Sequence, residues 1–372
     1  MSRLKFFVLI VSILMSCGKS DEPYTIEMKD GVNYIHNHSS VWGDEPKVAL
    51  EFVKEIGDHE SDDENYYFFR PADIARDADG NYYVSESGTS CIKVFEPGGK
   101  YKMTIGRRGQ GPGEISSAGR IDISAEGNIY VVDAGNYRIQ VFSPNGKDLG
   151  SIRLFPWPMS FCLLSTGEMV FRKVFLTPKP SDDQIGWARI IDPSGNTLKD
   201  FVKPNDIDNE LLKFAKRSFN LAVDSEDNIY VAFPPLNRVD KYDSKGNIIF
   251  KTDRPLKYKA GAKIKIKVKR GDQIRVIDDI NLVSDYIEVD YKDRVWVFSY
   301  ARKLKDFEDV TDPNEELYYS RYEFHIFDKN GIFLGKIPVE VFCYKFRIFG
   351  DRLYFIDTYE DMCIYEYKIV EK

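Results

Sequence analysis

The chain has 372 residues, with 52 Lys+Arg against 59 Asp+Glu, only 4 His and an aromatic share of 14%. A hydrophobic content of 43% excludes a disordered chain, and 26 Gly with 17 Pro exclude collagen-like and low-complexity classes. The formal charge of −7 argues against nucleic-acid binding, which needs a basic footprint. Abundant Tyr (23) and Phe (25) favour strands over helices.

The chain opens MSRLKFFVLIVSILMSC. Arg3 and Lys5 precede an apolar run from Phe6 to Met15, a length suited to a signal peptide and too short to span a bilayer. Leu14-Met15-Ser16-Cys17 resembles the lipobox of bacterial lipoproteins. That resemblance implies removal of residues 1–16 and lipidation of Cys17. Two or more acyl chains there would anchor the protein without a transmembrane helix. Without the leader's two basic groups the formal charge is −9. Residues 17–47 read as a tether and N-terminal extension. Gly18 to Pro23 resembles the acidic export signals of some surface lipoproteins and fits a solvated linker equally well, so the periplasmic face and the cell surface both remain open.

Cys91, Cys162, Cys343 and Cys363 have no metal-like spacing and sit inside strand patterns, so they read as small core residues, although an exported protein could pair them.

From residue 48 the sequence repeats. Ile74 to Val84, Ile121 to Val131 and Leu221 to Val231 are copies of one pattern: a short strand, a polar Asp/Gly/Asn turn, and a second alternating strand. Weaker copies are Phe161 to Val170, Ile287 to Val297 and Phe346 to Phe355. A second hairpin follows most of them, as in Ile92 to Lys100 and Ile139 to Lys147, whose Gly supplies the positive φ of the turn. Four antiparallel strands repeated six times predict an all-β, six-bladed β-propeller over residues 48–372. The sixth unit is one strand short. Val48 to Gly57 resembles a fourth strand and is expected to complete it, which closes the ring and removes a free sheet edge.

Residues 127–142, Gly-Asn-Ile-Tyr-Val-Val-Asp-Ala-Gly-Asn-Tyr-Arg-Ile-Gln-Val-Phe, resemble an NHL repeat. Ile105 to Glu114 is similar to a phrase typical of six-bladed propeller lipoproteins of Gram-negative bacteria. The resemblance covers residues 24–370, is strongest in the first two blades, and implies fold and outer-membrane location more than a reaction.

Asp133 ends a second strand five residues before Arg138, and Glu86 and Asp357 hold the equivalent places in blades one and six. Three carboxylates near a channel are weak candidates for a Ca²⁺ site. They equally serve as caps of the turn backbone, with Asp133 also accepting from Arg138. Blades three, four and five place Arg172, Phe233 and Ser299 there, so the acidic ring is incomplete. Gluconolactonase-like propellers use Glu, Asn and Asp around a metal, a set that does not map onto this chain. The amidating lyases resembling NHL proteins bind zinc through His, yet only His325 lies in a blade, with His36, His38 and His59 before blade one.

The Gly106–Gly113 loop joins blade one to blade two. Its Arg107, Arg108 and Gln110, with Glu114, could contact an anionic or carbohydrate ligand, although a purely structural loop fits too. Insertions at roughly 172–188, 201–218, 251–282 and 299–320 fall by strand order on the same face, the usual place for function on a rigid scaffold. Glu210 to Arg217 reads as a short helix. Lys263 to Arg270 reads as a strand with a basic face, a solvated edge protected by Lys. Trp187, in an insertion, is the candidate surface aromatic, whereas Trp296 reads as core.

These residues predict a lipid-anchored binding protein of the cell envelope, expected to be a monomer, which recognises a protein, peptide or glycan through its loop-rich face. The alternatives are a metal-dependent enzyme of the lactonase or lyase type and a structural subunit of an outer-membrane assembly.

Overall fold

A computed structural model describes residues 22–372 apart from 59–60, 155–156, 175–185, 204–218, 271–272, 304, 306–307, 310–320, 342, 344 and 359–360. Cys17 and the leader, residues 210–217 and parts of all four insertions therefore lie outside the described residues.

Six antiparallel four-stranded units form the blades of a propeller, five as separate sheets and the fourth blade as part of a six-stranded sheet. Blades 1 to 5 run over residues 71–105, 118–153, 157–201, 220–252 and 284–338. Blade 6 joins Lys345–Phe349, Arg352–Ile356 and Ile364–Glu371 to the N-terminal strand Val48–Ile56, as expected. The pairing runs from Val48 opposite Glu371 to Ile56 opposite Ile364. The first strands of successive blades meet at the axis.

The repeat works because each alternating strand has two buried faces, one for each neighbouring blade. Six apolar clusters result, one per blade junction. Ile74, Tyr82 and Val84 of blade 1 meet Ile56, Tyr354 and Ile364 of blade 6 at the closing seam. Trp296, Phe324, Phe346 and Phe355 fill the junction of blades 5 and 6, with edge-to-face rings such as Phe324–Phe346, 4.9 Å apart. The four described cysteines are buried thiols.

The polar turns are equally repetitive. Asp77 Oδ1 accepts from the Asn81 N–H (2.8 Å), and Asp224 Oδ1 does so from Asn228 (2.9 Å). Gly127 supplies φ +83 in blade 2, where blade 4 has Asp227 at +62. Asp227 keeps this conformation because its carboxylate accepts from Ser165 N (2.8 Å) and Oγ (2.6 Å) of blade 3.

Two features depart from the expected repeat. Within the stretch read as tether and extension, Tyr24–Lys29 and Val32–Asn37 form a hairpin, and the second strand pairs in parallel with Ile248–Thr252 on the rim of blade 4. Buried Asn37 donates to Thr252 Oγ1 (3.0 Å), the Asp253 carbonyl (2.7 Å) and the Gly331 carbonyl (3.1 Å), and accepts from Phe333 N (2.8 Å), so it clips blade 4 to blade 5. The second departure is Lys263–Arg270. It is the middle strand of a separate three-stranded sheet, between Gln273–Ile280 and Glu308–Asp309, and not the edge that its lysines suggested. Ile264 and Ile266 on its other face are buried, which holds it in the centre.

Deleting residues 48–57 should lower the melting temperature sharply and broaden the transition, because it bares the last strand and the closing cluster. Calorimetry or far-UV circular dichroism checks this, and an unchanged melting temperature would refute closure by this strand.

Candidate functional site

The loop-rich face carries the connections from fourth to first strands and from second to third strands. Glu86, Asp133 and Asp357 all lie there, and each is spent on its own blade. Glu86, fully buried, accepts from Thr89 N (2.8 Å), Gly88 N (3.1 Å) and Arg70 N. Asp133 accepts from Ser116 N (2.8 Å), Asn136 Nδ2 (2.6 Å) and Arg138 Nε (3.0 Å). Asp357 accepts from Asp361 N (3.0 Å). No three potential metal ligands come together among the described residues.

The Gly106–Gly113 loop is riveted from below. Arg138 Nη2 donates to the carbonyls of Gly111 (3.0 Å) and Glu114 (2.7 Å), and Arg108 donates to the Gly88 carbonyl. Glu114 turns inward and accepts from Gly111 N (2.9 Å), Gln110 N (3.1 Å) and Arg107 Nε (3.1 Å). The Gly111 N–H, then Arg107, hold this carboxyl below its ordinary range. Arg107 remains 82% exposed and Gln110 is exposed, so those two side chains face solvent. Trp187 does not belong with them. It is fully buried, stacks on Phe219 with ring centres 6.5 Å apart, and its backbone pairs with Lys173 and Val202. Its place in an insertion hid the fact that it packs the junction of blades 3 and 4.

The axis holds charges that the repeat comparison passes over. Asp73 and Arg120 are the third residues of the first strands Pro71–Arg76 and Ala118–Ile123. Arg347 is the third of Lys345–Phe349, and Glu288 lies in Ser284–Val289. Asp73 receives Arg347 Nη1 (2.9 Å), Lys345 Nζ (3.1 Å) and Arg120 Nε (3.5 Å), while Glu288 Oε1 receives Arg347 Nε (3.0 Å) and Arg120 Nη1 (3.4 Å). Burial works to raise the Asp73 pKa, but Lys345, Arg347 and Arg120 together bring it down to about 2. Burial lowers Lys345 to about 8, since its one carboxylate is shared with two arginines. The readable signal was a charge of either sign recurring at one position of otherwise apolar strands.

Above this layer, toward the loop-rich face, lies a second group. The first strands of blades 1, 2, 3 and 5 each carry a β-bulge, and that of blade 5 falls between Ser284 and Ile287. A bulge breaks strict alternation and re-aims side chains, here around Asp285 and Tyr286. Arg172, which occupies the place of Asp133 in blade 3, reaches across to blade 4 and donates Nη1 to the Phe219 carbonyl (2.9 Å). The next residue, Asn220, donates to the Asp285 carbonyl, so Arg172 and Asp285 bracket one short segment. Burial raises the Asp285 carboxyl to about 7, with Arg172 opposing it. Two surface hollows lie between outer strands: about 330 Å³ at blades 5 and 6, beside Leu50, Ile337 and Tyr367, and about 520 Å³ at blades 3 and 4, beside Phe201, Tyr242 and Ile248.

A family model described as a 6-bladed beta-propeller, DUF5128, matches residues 70–205. The chain is similar in fold to a DUF4221 member from Bacteroides vulgatus (13% identity, TM-score 0.59), with 88% of this chain and 99% of that one covered. It is similar also to a Bacteroides fragilis protein described as exported (13%, TM-score 0.56, 91% and 99%). A third likeness is to a catalytically inactive virginiamycin B lyase from Staphylococcus aureus with quinupristin (12%, TM-score 0.52, 87% and 99%). No curated protein matches in sequence. At these identities the likeness establishes the propeller fold.

Asp73→Asn should cost about 3–5 kcal/mol, because three cations lose their shared carboxylate. The native pKa is depressed, so the stabilisation is fully present above about pH 4 and is lost as pH falls toward about 2. Chemical denaturation between pH 2 and 6 checks both, and the variant should lose the acid-dependent step contributed by this group.

Proposed function

We propose that this is a binding propeller of the cell envelope, lipidated at Cys17 after removal of residues 1–16 and held at the outer membrane. It would engage a protein, peptide or glycan partner on its loop-rich face. One contrast carries the reading. The carboxylates placed to hold a channel metal, Glu86, Asp133 and Asp357, accept hydrogen bonds from their own blades, whereas Arg172 Nε at the channel mouth has no hydrogen-bond partner. Exposed Arg107 and Gln110 extend the same face outward. The leader and the likeness of residues 127–142 to NHL repeats support the address and the interaction role.

His325, the blade histidine, supports binding over lyase chemistry. It is buried and bonded through Nε2 to Glu323 (2.7 Å), and burial lowers its pKa to about 4. His325 sits on the third strand of blade 5, away from the first strands that line the axis, and so is poorly placed as a channel ligand.

Two measurements test the reading. Cys17→Ala should shift the protein from the membrane to the soluble fraction of fractionated cells; retention in the membrane would remove the lipoprotein assignment. An array of envelope oligosaccharides and peptides should capture the purified protein without added metal. Millimolar Ca²⁺ or Zn²⁺ should leave its melting temperature unchanged, and a clear metal-induced rise would favour the metal-dependent enzyme.

A further inference from the structure

The hollow of about 520 Å³ at blades 3 and 4 is a groove down the outer rim. Its floor is apolar. Phe201 and Tyr242, both buried, meet edge to face with ring centres 5.1 Å apart, beside half-buried Ile248. At the end away from the loop-rich face, the Gly246 turn of blade 4 seats on the last strand of blade 3. A Cβ at Gly246 would come within 3.0 Å of Phe201 Cγ and 3.2 Å of Lys199 Cγ. At the other end Val202 holds φ +59, rare for a β-branched residue, while its carbonyl accepts from Trp187 N (3.0 Å). Backbone strain of this kind collects at ligand sites. The walls carry mainly one sign of charge: Lys199, Lys203, Arg238 and Lys251 against Asp200. That carboxylate is already held by Arg189 Nε (2.8 Å) and Lys173 Nζ (3.2 Å). Arg238 is forked to Asp240 (2.7 and 2.8 Å), and Lys251 Nζ donates to the Tyr34 hydroxyl (2.9 Å), so both are fixed in place. Lys199 and Lys203 are exposed and have no carboxylate partner among the described residues. In a chain of charge −7 this is a local excess of cations over an apolar floor. A concave apolar surface of roughly 300–1,000 Å³ with a few charged groups is the usual form of a small-molecule site.

We propose that this groove binds an anionic amphiphile, a small molecule with one acidic head and an apolar body. The body lies on Phe201, Tyr242 and Ile248, and the head pairs with Lys199 and Lys203. This is a second site, additional to the partner surface on the loop-rich face, and its failure would leave that reading untouched. Shape and charge select the class together. A neutral apolar ligand leaves the lysines unused, a compact anion leaves the floor uncovered, and a cation is repelled. Lysine ammonium groups are point charges without a planar fork, so the head is chosen by its sign and not by its geometry. The exposed pairing is screened by salt, whereas the apolar contact is not. The companion hollow at blades 5 and 6 offers a comparison. It is lined by one charge of each sign, Glu340 and Lys372, and so has no such preference.

The test is titration calorimetry on the purified full chain, below the micelle concentration of each probe. The probes are sodium decanoate, decyltrimethylammonium bromide, octyl glucoside and sodium sulfate. Decanoate should bind, and its affinity should fall several-fold between about 20 mM and about 500 mM NaCl. Lys199→Ala combined with Lys203→Ala should weaken decanoate roughly tenfold, the combined worth of two exposed ion pairs. Lys199→Glu combined with Lys203→Glu should abolish binding. Ile248→Ser should weaken binding yet keep its salt dependence, with circular dichroism confirming the fold of each variant. Lys372→Ala, at the companion hollow, should change nothing. The proposal fails if decanoate does not bind, or if the cationic, neutral or sulfate probe binds as tightly as decanoate. It fails also if the Lys199→Ala, Lys203→Ala double variant binds decanoate normally. Loss of binding with Lys372→Ala alone would place the ligand at the companion hollow and overturn the assignment.

Discussion

The pairing of Val48–Ile56 with Ile364–Glu371 is the constraint on which the molecule depends. A propeller has no independent blades, because each four-stranded sheet buries both faces only when a neighbour stands on each side. The strand from before blade 1 completes blade 6 and brings Ile56 and Tyr354 against Tyr82 and Val84. Were the seam open, that cluster and two sheet edges would face water at once.

Closure also creates the axis. Asp73 belongs to blade 1, while Arg347 and Lys345 belong to blade 6, so the shortest charge contact in the channel, Arg347 with Asp73, crosses the seam. Buried ion pairs seldom add net stability against apolar packing, and this group is better understood as fixing the relative positions of blades 1, 2, 5 and 6. Two tiers follow along the channel. In the inner one Asp73 and Glu288 are shared among three cations. In the outer one Arg172 donates to the Phe219 carbonyl and keeps its Nε without a partner. The bulge in blade 5 separates the tiers by turning Asp285 and Tyr286 out of strict alternation.

Much of the fold was legible because repetition amplifies weak signals. The Asp/Gly/Asn turn of Asp77 to Asn81 is ambiguous alone and decisive when it returns as Asp224 to Asn228. The candidate site was less legible, because its charges depart from the repeat. Arg172, like Phe233 and Ser299, broke the acidic pattern of Glu86, Asp133 and Asp357, yet the segment that Arg172 reaches lies 47 residues away in blade 4. Trp187 was misplaced for a similar reason: an insertion seldom carries core, but this one folds back on Phe219. The hairpin at Tyr24–Asn37 escaped notice because its parallel pairing to blade 4 spans over 200 residues and leaves no local trace.

Sequence alone determined what local chemistry can encode: strand alternation, turns that need an Asp cap or a positive φ, the number of blades, and the strand that closes the ring. Tertiary structure decided which charges share the axis, which carboxylates are spent on backbone donors, and which aromatic residues are core. The physical reason is range. Turn and strand preferences act over a few residues, whereas burial and charge pairing at the channel depend on six first strands brought together from across the chain, and no spacing along the sequence records that convergence.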